Sequence, residues 1–500
     1  MGNSDDQIQG QQKTRWNSRF AFLMAMIGSA VGLGNIWRFN YVLYSQGGGA
    51  FLIPYITAII VMGLPFLILE YGVGYHLRDS LSNILKRIKP YLEVVGWFIL
   101  LIVFLILTYY LVIVGWDVIY LALSFFKGWG ADPNMFFSNN IVVGGDDLNS
   151  ITSFVLPMSL ITILLWIVLW YTSCKSIDRI EKIVKSLIPL LFLLMAFIVF
   201  YSLTLPGHMI GLQALFRPKW ELLSDPSIWV AAFGQVLFSL SMGLSIAITY
   251  ASYLPDESEI TGNVVAVAFS NSFFELFTAI GVFSILGYMS LQSGLPIDQL
   301  ATSGAGLSFI VFPQVFNVMG NSAYILGPVF FLCIFFAGLT SLISLFETMR
   351  NALSMKFGFT RRKSSTILTI FGLVISLVYT TGSGSFILTI ADAFLNNMAL
   401  ILGVILQAVI FGWMYGVEKL IPAINKNSKL KVGKTWTAVI KYILPVILSL
   451  LWICEVIDVI TFDDINVLII QIIIAAILII APIVLTKLPA KDENSTPKID

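Results

Sequence analysis

Two stretches of this chain place glycine and hydroxyl-bearing residues where a membrane-length helix should be apolar throughout. They are Gly28-Ser29-Ala30-Val31-Gly32-Leu33-Gly34-Asn35 and Ser239-Leu240-Ser241-Met242-Gly243-Leu244-Ser245. A helix broken there leaves backbone N–H and C=O groups unpaired, which a bilayer tolerates only where they line an enclosed cavity. Such a break has a definite chemistry. Half-helix N-termini offer N–H groups to a carboxylate, and freed carbonyls at half-helix C-termini coordinate a hard cation such as Na⁺. Further oxygen donors are available in Asn35, Ser239, Ser241, Asn271, Thr340 and Ser341. The competing reading of either stretch alone is close packing, because small residues let membrane helices approach. Against it, both stretches lie mid-span and five spans apart, the pattern of an inverted-repeat transporter with a midplane site.

The elements that position these residues are membrane helices. The chain has 500 residues, 58% hydrophobic and 11% charged, against about 25% charged in a soluble domain. Apolar runs such as 91–126, 153–171, 186–205 and 467–485 reach or approach the ~20 residues that cross a hydrocarbon core. About twelve spans are expected: 19–42, 49–75, 92–126, 153–173, 184–205, 227–253, 261–290, 322–353, 365–381, 385–416, 436–460 and 464–486. Lys and Arg placement tests the count. With a cytoplasmic N-terminus, the inside segments carry Lys13, Arg15, Arg19, Arg78, Lys86, Arg87, Lys89 and the basic clusters at 175–185, 356–363, 419–434 and 487–498. The outside segments carry Lys127, Arg217 and Lys219. That bias predicts N- and C-termini in the cytoplasm and a multi-pass protein of the cell (inner) membrane. Net charge is +1, which suggests no nucleic-acid partner; the lipid bilayer is the expected surrounding. Residues 1–14 are polar without an apolar core, unlike a cleaved signal peptide. Cys174, Cys333 and Cys454 read as small apolar packers, and His76 and His208 stand apart from them, so no metal-binding spacing is present. With no phosphate loop and no catalytic constellation, neither an ATP-driven pump nor an enzyme is expected.

The motifs around the breaks resemble a known family. SAVGLGNIWRF (29–39) followed by QGGGAF, ILEYGVG around Glu70, TYY at Tyr109-Tyr110, GQVLFSLSMG from 234, TYASYL at Tyr250, NSFFE at Asn271 and FFAGLTS at Ala337 are similar to the neurotransmitter:sodium symporters, including the bacterial leucine transporter. They occur in family order across about residues 13–415. The resemblance implies an all-α membrane protein of about 12 helices, a 5+5 inverted repeat with helices 1 and 6 broken. Residues 1–15 would form a cytoplasmic tail, 16–205 repeat one, 227–416 repeat two, 436–486 two appended helices and 487–500 a second tail.

Site residues carry over by position. The resemblance implies two sodium ions. One would be held by the Ala30 carbonyl, Asn35, Ser239, Asn271 and the substrate's own carboxylate. The other would be held by carbonyls of Gly28, Val31 and Ala337 with the hydroxyls of Thr340 and Ser341. Tyr110 would hold the substrate carboxylate beside the N–H groups near Gly32 and Leu33, and Phe238 would close over it. For Tyr110 a buried aromatic bonded to a neighbouring helix is the alternative; for Thr340 and Ser341 it is bonding back to the preceding turn. Ser29 and Ser241 join the pocket, and Ile106, Met242, Leu244, Leu342 and Leu345 should line its side-chain end. Glu70 matches a glutamate that braces the sixth helix.

Arg38 and Gln235 match parts of an outer gate. The family's acidic partner falls at Asn396, with Asp392 one turn earlier on the same face, so Asp392 can substitute. Lys13, Trp16 and Tyr253 match the inner gate, whose acidic partner is replaced by Met355. Asp117 has no assignment, the outer vestibule being the place expected for it. Glu275, one turn after Asn271, stands where chloride-independent prokaryotic members have a fixed carboxylate in place of chloride. The function expected is sodium-coupled import of a neutral, hydrophobic amino acid. Another small zwitterion or amine is the runner-up, and a non-transporting sensor or channel on the same scaffold is the reading from a different class.

Overall fold

In hydrocarbon each backbone polar group must be satisfied within its own segment, so long apolar runs become helices. The computed structural model describes residues 15–143, 148–302, 304–460 and 464–490. Among these, regular structure is helical, with one isolated antiparallel bridge between Phe154 and Thr381. Nine helices are long and apolar enough to cross a membrane among the described residues, and a bent pair forms a tenth span. That pair is α1, split into α1a (Arg19–Ala30) and α1b (Leu33–Ser45), which meet at 54°. The nine are α2 (Gly48–Leu77), α3 (Pro90–Ser124), α4 (Leu156–Ser173), α5 (Ile177–Ser202), α7 (Thr261–Ser293), α8 (Gly320–Phe357), α10 (Gly384–Asn425), α11 (Lys434–Ile457) and α12 (Ile465–Lys487). Between them lie the broken α6, as α6a (Pro226–Ser239) and α6b (Ile246–Ser252), and α9 (Arg361–Val378). With these the twelve expected spans are all helical.

Several helices outrun their expected limits. α5 begins at Ile177 rather than 184, and α9 at Arg361 rather than 365. Hydropathy marks the apolar slab, whereas the helix continues through charged first turns that lie beyond it.

α3 and α8 form the tightest long seam, with Gly338 of α8 packed on Val114 of α3. At one end of that seam Lys356 of α8 pairs with Glu93 of α3 at 2.5 Å, both almost fully buried. Removing Glu93 would strand the buried Lys356 ammonium, at a cost of ~3–5 kcal/mol, whereas without Lys356 Glu93 would keep Lys86 at 3.6 Å and the Trp97 indole at 3.2 Å. α6b lies along α2, α5 packs on α1a and α8, and α12 lies along α3. α11 joins α10 through the Trp452 indole, which donates to the Met398 carbonyl at 2.9 Å. Cys174 and Cys333 are buried packers as expected, but Cys454 on α11 is exposed.

Candidate functional site: a cavity between two broken helices

In α1 the helix stops at Ala30, runs extended through Val31 and Gly32, and restarts at Leu33. In α6 three residues take left-handed backbone: Ser241 (φ 52°), Gly243 (φ 78°) and Ser245 (φ 57°). For the two serines that conformation costs ~1–3 kcal/mol each, so the surroundings must hold it. They do so from three helices. The Ser241 hydroxyl donates to the Ser29 carbonyl of α1a at 2.8 Å. The Gln407 amide of α10 donates to the Gly243 carbonyl at 3.0 Å. Glu70 of α2, wholly buried, faces the backbone N–H groups of Gly243 and Ser245. Position 243 must also be glycine for space, since a Cβ there would lie 2.2 Å from Val404 Cγ2.

The two breaks wall a cavity of about 500 Å³. Ser29, Ala30, Gly32 and Leu33 line it from α1, and Phe238, Ser239, Ser241 and Leu244 from α6. Ile106 and Tyr110 of α3 and Ser341 and Leu345 of α8 complete its base. Two expected lining residues are corrected. Met242 and Leu342 are fully buried and lie outside the wall. Leu342 is one residue past Ser341 on a regular helix, about 100° away from the face that Ser341 and Leu345 share. Met242 sits within the left-handed turn, its N–H held by the Leu237 carbonyl at 3.1 Å.

One corner of the cavity is a polar notch. The Leu33 N–H donates to the Tyr110 hydroxyl at 3.3 Å. A Cβ on Gly32 would stand 3.2 Å from that hydroxyl and 3.1 Å from the Ser341 hydroxyl. Beside it, oxygen donors from three helices meet. Asn35 donates to Asn271 at 2.8 Å, and Asn271 donates to the Ser239 hydroxyl. The Gly32 N–H in turn donates to the Asn35 side-chain oxygen at 2.8 Å. A second oxygen group lies where α1a passes α8. Ser341 donates to the carbonyls of Gly28 (3.4 Å) and Ala337 (3.1 Å), and Thr340 to those of Ala337 (3.1 Å) and Phe336 (3.0 Å). The bonding of both hydroxyls to the preceding turn therefore coexists with the approach of Ser341 to Gly28. Val31 is buried at the break, its N–H on the Ile27 carbonyl at 2.7 Å. Both groups are hard oxygen donors in a dry interior, and no cluster of His, Cys, Asp and Glu suited to a metal ion exists among the described residues.

Glu275 is fully buried one turn beyond Asn271. It accepts from Tyr55 and from the Gln235 amide, the latter at 2.8 Å, with the Ser239 hydroxyl also in reach.

The two sides of the cavity differ. On one side it reaches the exposed Asp392 and Thr389. There the Arg38 guanidinium stacks on the Phe238 ring at 4.3 Å and makes no direct ion pair with Asp392. Asp392 accepts instead from the Tyr109 hydroxyl and from Asn396, each at 2.7 Å. On the other side Trp16 is buried, its backbone N–H on the Tyr253 carbonyl (3.0 Å) and its indole on that of Tyr250 (2.9 Å). Lys13 lies outside the described residues; Arg15 pairs with Asp256 at 2.9 Å. Met355 is exposed, and the fully buried acid that meets Tyr253 is Glu347: it accepts from Tyr253 at 2.9 Å and pairs with Arg350 (2.7 Å) and Arg361 (2.6 Å). Asp117 is also corrected. It is fully buried and outside the cavity wall. Trp116 and Tyr120 on either side of it pack against Phe137 and Phe309, which roof that part of α3.

Sequence reasoning missed Tyr109, Tyr55, Gln407 and the Glu347–Arg350–Arg361 cluster. Only the last left a signal, charges spaced i, i+3 inside an apolar span, where ionisable residues mark function or pairing.

A cavity walled by two broken helices and closed on one side is the architecture of a secondary transporter whose site sits at the centre of the membrane. The comparisons make this specific. The chain belongs to the sodium:neurotransmitter symporter family, whose profile matches residues 13–142 and 130–489. It is 37% identical over 442 residues to an uncharacterized sodium-dependent transporter of Methanocaldococcus jannaschii, covering 88% of this chain and 89% of the relative. It is 26% identical to the human sodium- and chloride-dependent GABA transporter 2 (82% and 74% covered) and 28% identical to the Drosophila melanogaster sodium-dependent serotonin transporter (89% and 77%). The chain is a multi-pass membrane transporter of this family and not an enzyme.

Proposed function

We propose that this protein is a sodium-coupled symporter that imports a neutral, hydrophobic amino acid together with two sodium ions and without chloride. The observation that carries the amino-acid reading is the notch at Gly32. There the start of α1b, the Tyr110 hydroxyl and the Ser341 hydroxyl surround a space that only a residue without a side chain leaves open. Helix N-termini bind anions through free N–H groups and the helix dipole, so a substrate carboxylate fits this corner. Ile106, Leu244 and Leu345, which also line the cavity, offer no counter-charge, which suits an apolar side chain.

The first sodium ion would sit among the Ala30 carbonyl, Asn35, Ser239 and Asn271, completed by the substrate carboxylate. The second would sit among Gly28, Val31, Ala337, Thr340 and Ser341. Glu275 would supply the fixed negative charge that chloride supplies elsewhere, since two cations in a low-dielectric site need a nearby anion. Residues 16–205 and 227–416 would be the two repeats. The excess of Lys and Arg on one set of loops supports cytoplasmic termini in the cell (inner) membrane. The Arg38 side then faces outward and the Trp16 side inward, so the structure corresponds to an outward-facing state.

A thermal-shift screen of the twenty amino acids in Na⁺ and in K⁺ tests the reading, because a ligand that binds only the native state stabilises it. Aliphatic amino acids should raise the melting temperature in Na⁺ alone. A panel in which none does so in Na⁺ refutes the substrate assignment.

A further inference from the structure

The chain enters α1a across the closed side of the cavity, and residues 15–19 tie that entry to three other helices. Arg15 pairs with Asp256, just beyond α6b, at 2.9 Å. Trp16 donates to the Tyr250 and Tyr253 carbonyls at that end of α6b. Arg19 donates to the Asn263 side chain of α7 at 2.7 Å, with Glu259 at 3.4 Å. Asn17 makes the third tie, to α5. Its backbone N–H (3.1 Å) and its side-chain amide (3.0 Å) both donate to Oε2 of Glu181, and the amide also donates to Asp178 at 2.9 Å. The Lys185 ammonium, one turn along α5, takes the other Glu181 oxygen.

These ties differ in weight. The Asp256 and Arg19 side chains are 64% and 57% exposed, and exposed ion pairs contribute little. Glu181 is 3% exposed, and hydrogen bonds to an ionised acceptor are roughly twice as strong as neutral ones. With Asn17 withdrawn, Oε2 of this buried acid would lose both of these donors, so the acid resists the withdrawal. Position adds leverage. α1a has 12 residues, a length of about 18 Å, and its far end is the break at Val31 and Gly32. Near that break α1a already lies tight on α5, where a Cβ on Gly28 would stand 2.7 Å from Ile188 Cδ1. A rod with a break at one end is aimed by whatever holds the other end. Asn17 is at that other end, next to the Ser18 cap.

We propose that Glu181 is a positioning residue of the gate on the Trp16 side: by seating Asn17 it holds α1a against α5, and release of Asn17 lets that side open. The proposal rests on reading the cavity as a transport site that opens to either side. Its test reads accessibility and needs no substrate, so it stands or falls separately from the amino-acid screen.

The experiment uses the full-length protein in lipid nanodiscs, where both faces meet solvent, in a Cys454→Ser background that removes the exposed native thiol. Ser344 of α8 is buried, lies outside the cavity lining and is bonded to the Tyr250 hydroxyl at 3.1 Å. Ser344→Cys, labelled with a charged methanethiosulfonate reagent, therefore reports opening beside Trp16, and the parent without this cysteine gives the background rate. Glu181→Gln keeps the shape and removes the charge. It should speed labelling roughly five- to tenfold, the step from a charge-assisted to a neutral bond. Asn17→Ala should speed it to a similar extent, and as a truncation at an exposed position it keeps the test open should Glu181→Gln fail to fold. The double variant should fall well short of the product of the two effects, because both act through one contact. Unchanged labelling in Asn17→Ala overturns the proposal. So do effects that multiply fully in the double variant, the outcome expected if Glu181 only stabilises α5.

Discussion

Replacing Gly32 with alanine separates folding from binding at the notch. Gly32 has φ −127° and ψ −166°, an extended backbone that alanine adopts without strain. The added Cβ would stand 3.1 Å from the Ser341 hydroxyl and 3.2 Å from the Tyr110 hydroxyl. Both are ends of side chains, and a shift of a few tenths of an ångström relieves the contact. Crowding of that order costs at most ~1 kcal/mol, and the reduced freedom of the unfolded chain returns ~0.4–1 kcal/mol. The melting temperature without ligand should therefore stay near wild type. Binding should not. A methyl group in the notch displaces a carboxylate from the Leu33 N–H and the Tyr110 hydroxyl, and each charge-assisted hydrogen bond is worth ~1.5–3 kcal/mol. Loss of one bond lowers affinity roughly ten- to hundredfold, and loss of both removes measurable binding. The assay is a ligand-induced thermal shift in Na⁺ on both proteins, with the unliganded melt as internal control. Wild-type affinity in a normally folded Gly32→Ala protein would refute the placement of the carboxylate, and with it the case for an amino-acid substrate.

Three further outcomes are expected. Tyr110→Phe, which removes only the hydroxyl, should weaken amino-acid binding roughly ten- to hundredfold by isothermal titration, and much less for an analogue whose carboxylate is a neutral amide. Replacing Na⁺ by K⁺ should weaken substrate binding strongly, and Asn271→Ala or Thr340→Ala should lower the apparent Na⁺ affinity; equal substrate binding in both salts rules out symport in this form. Uptake into proteoliposomes should persist when gluconate replaces chloride, whereas Glu275→Ser should make uptake chloride-dependent; loss of wild-type uptake in gluconate excludes the fixed-anion role.

Much of the architecture was legible because bilayer physics leaves few choices. The expected break at Gly28–Asn35 falls at Val31 and Gly32, and that at Ser239–Ser245 spans the non-helical residues 240–245. Helical periodicity could also have excluded Leu342, since Ser341 and Leu345 define a face it does not share. Asp117, unassigned and expected in the outer vestibule, is buried instead. It follows Ile106, Tyr110 and Ile113 on one stripe of α3, but aromatics of two short connecting helices, Phe137 and Phe309, cover that end. The acid that meets Tyr253 was hidden for a similar reason. Glu347 and Arg350 are visible as charges in a span, whereas Arg361 and Tyr253 reach them only through the packing of α9 and α6b on α8.

One bond suggests how the proposed sodium and carboxylate sites communicate. The Gly32 N–H points at the Asn35 side-chain oxygen, 2.8 Å away, so a donor at the notch is spent on a ligand of the first oxygen group. On the proposed reading a sodium ion that takes the Asn35 oxygen competes with that bond and frees the Gly32 N–H for a carboxylate. A carboxylate at the notch in turn supplies negative charge beside the ion. Each ligand then favours the other by the same free energy, as linkage requires. The breaks make this possible because Gly32 and Asn35 belong to the first turn of α1b, where N–H groups have no partner four residues earlier. In an unbroken helix the Gly32 N–H would be bonded to the Gly28 carbonyl. Neither group would then be available, the one as a donor to substrate and the other as a ligand of the second oxygen group.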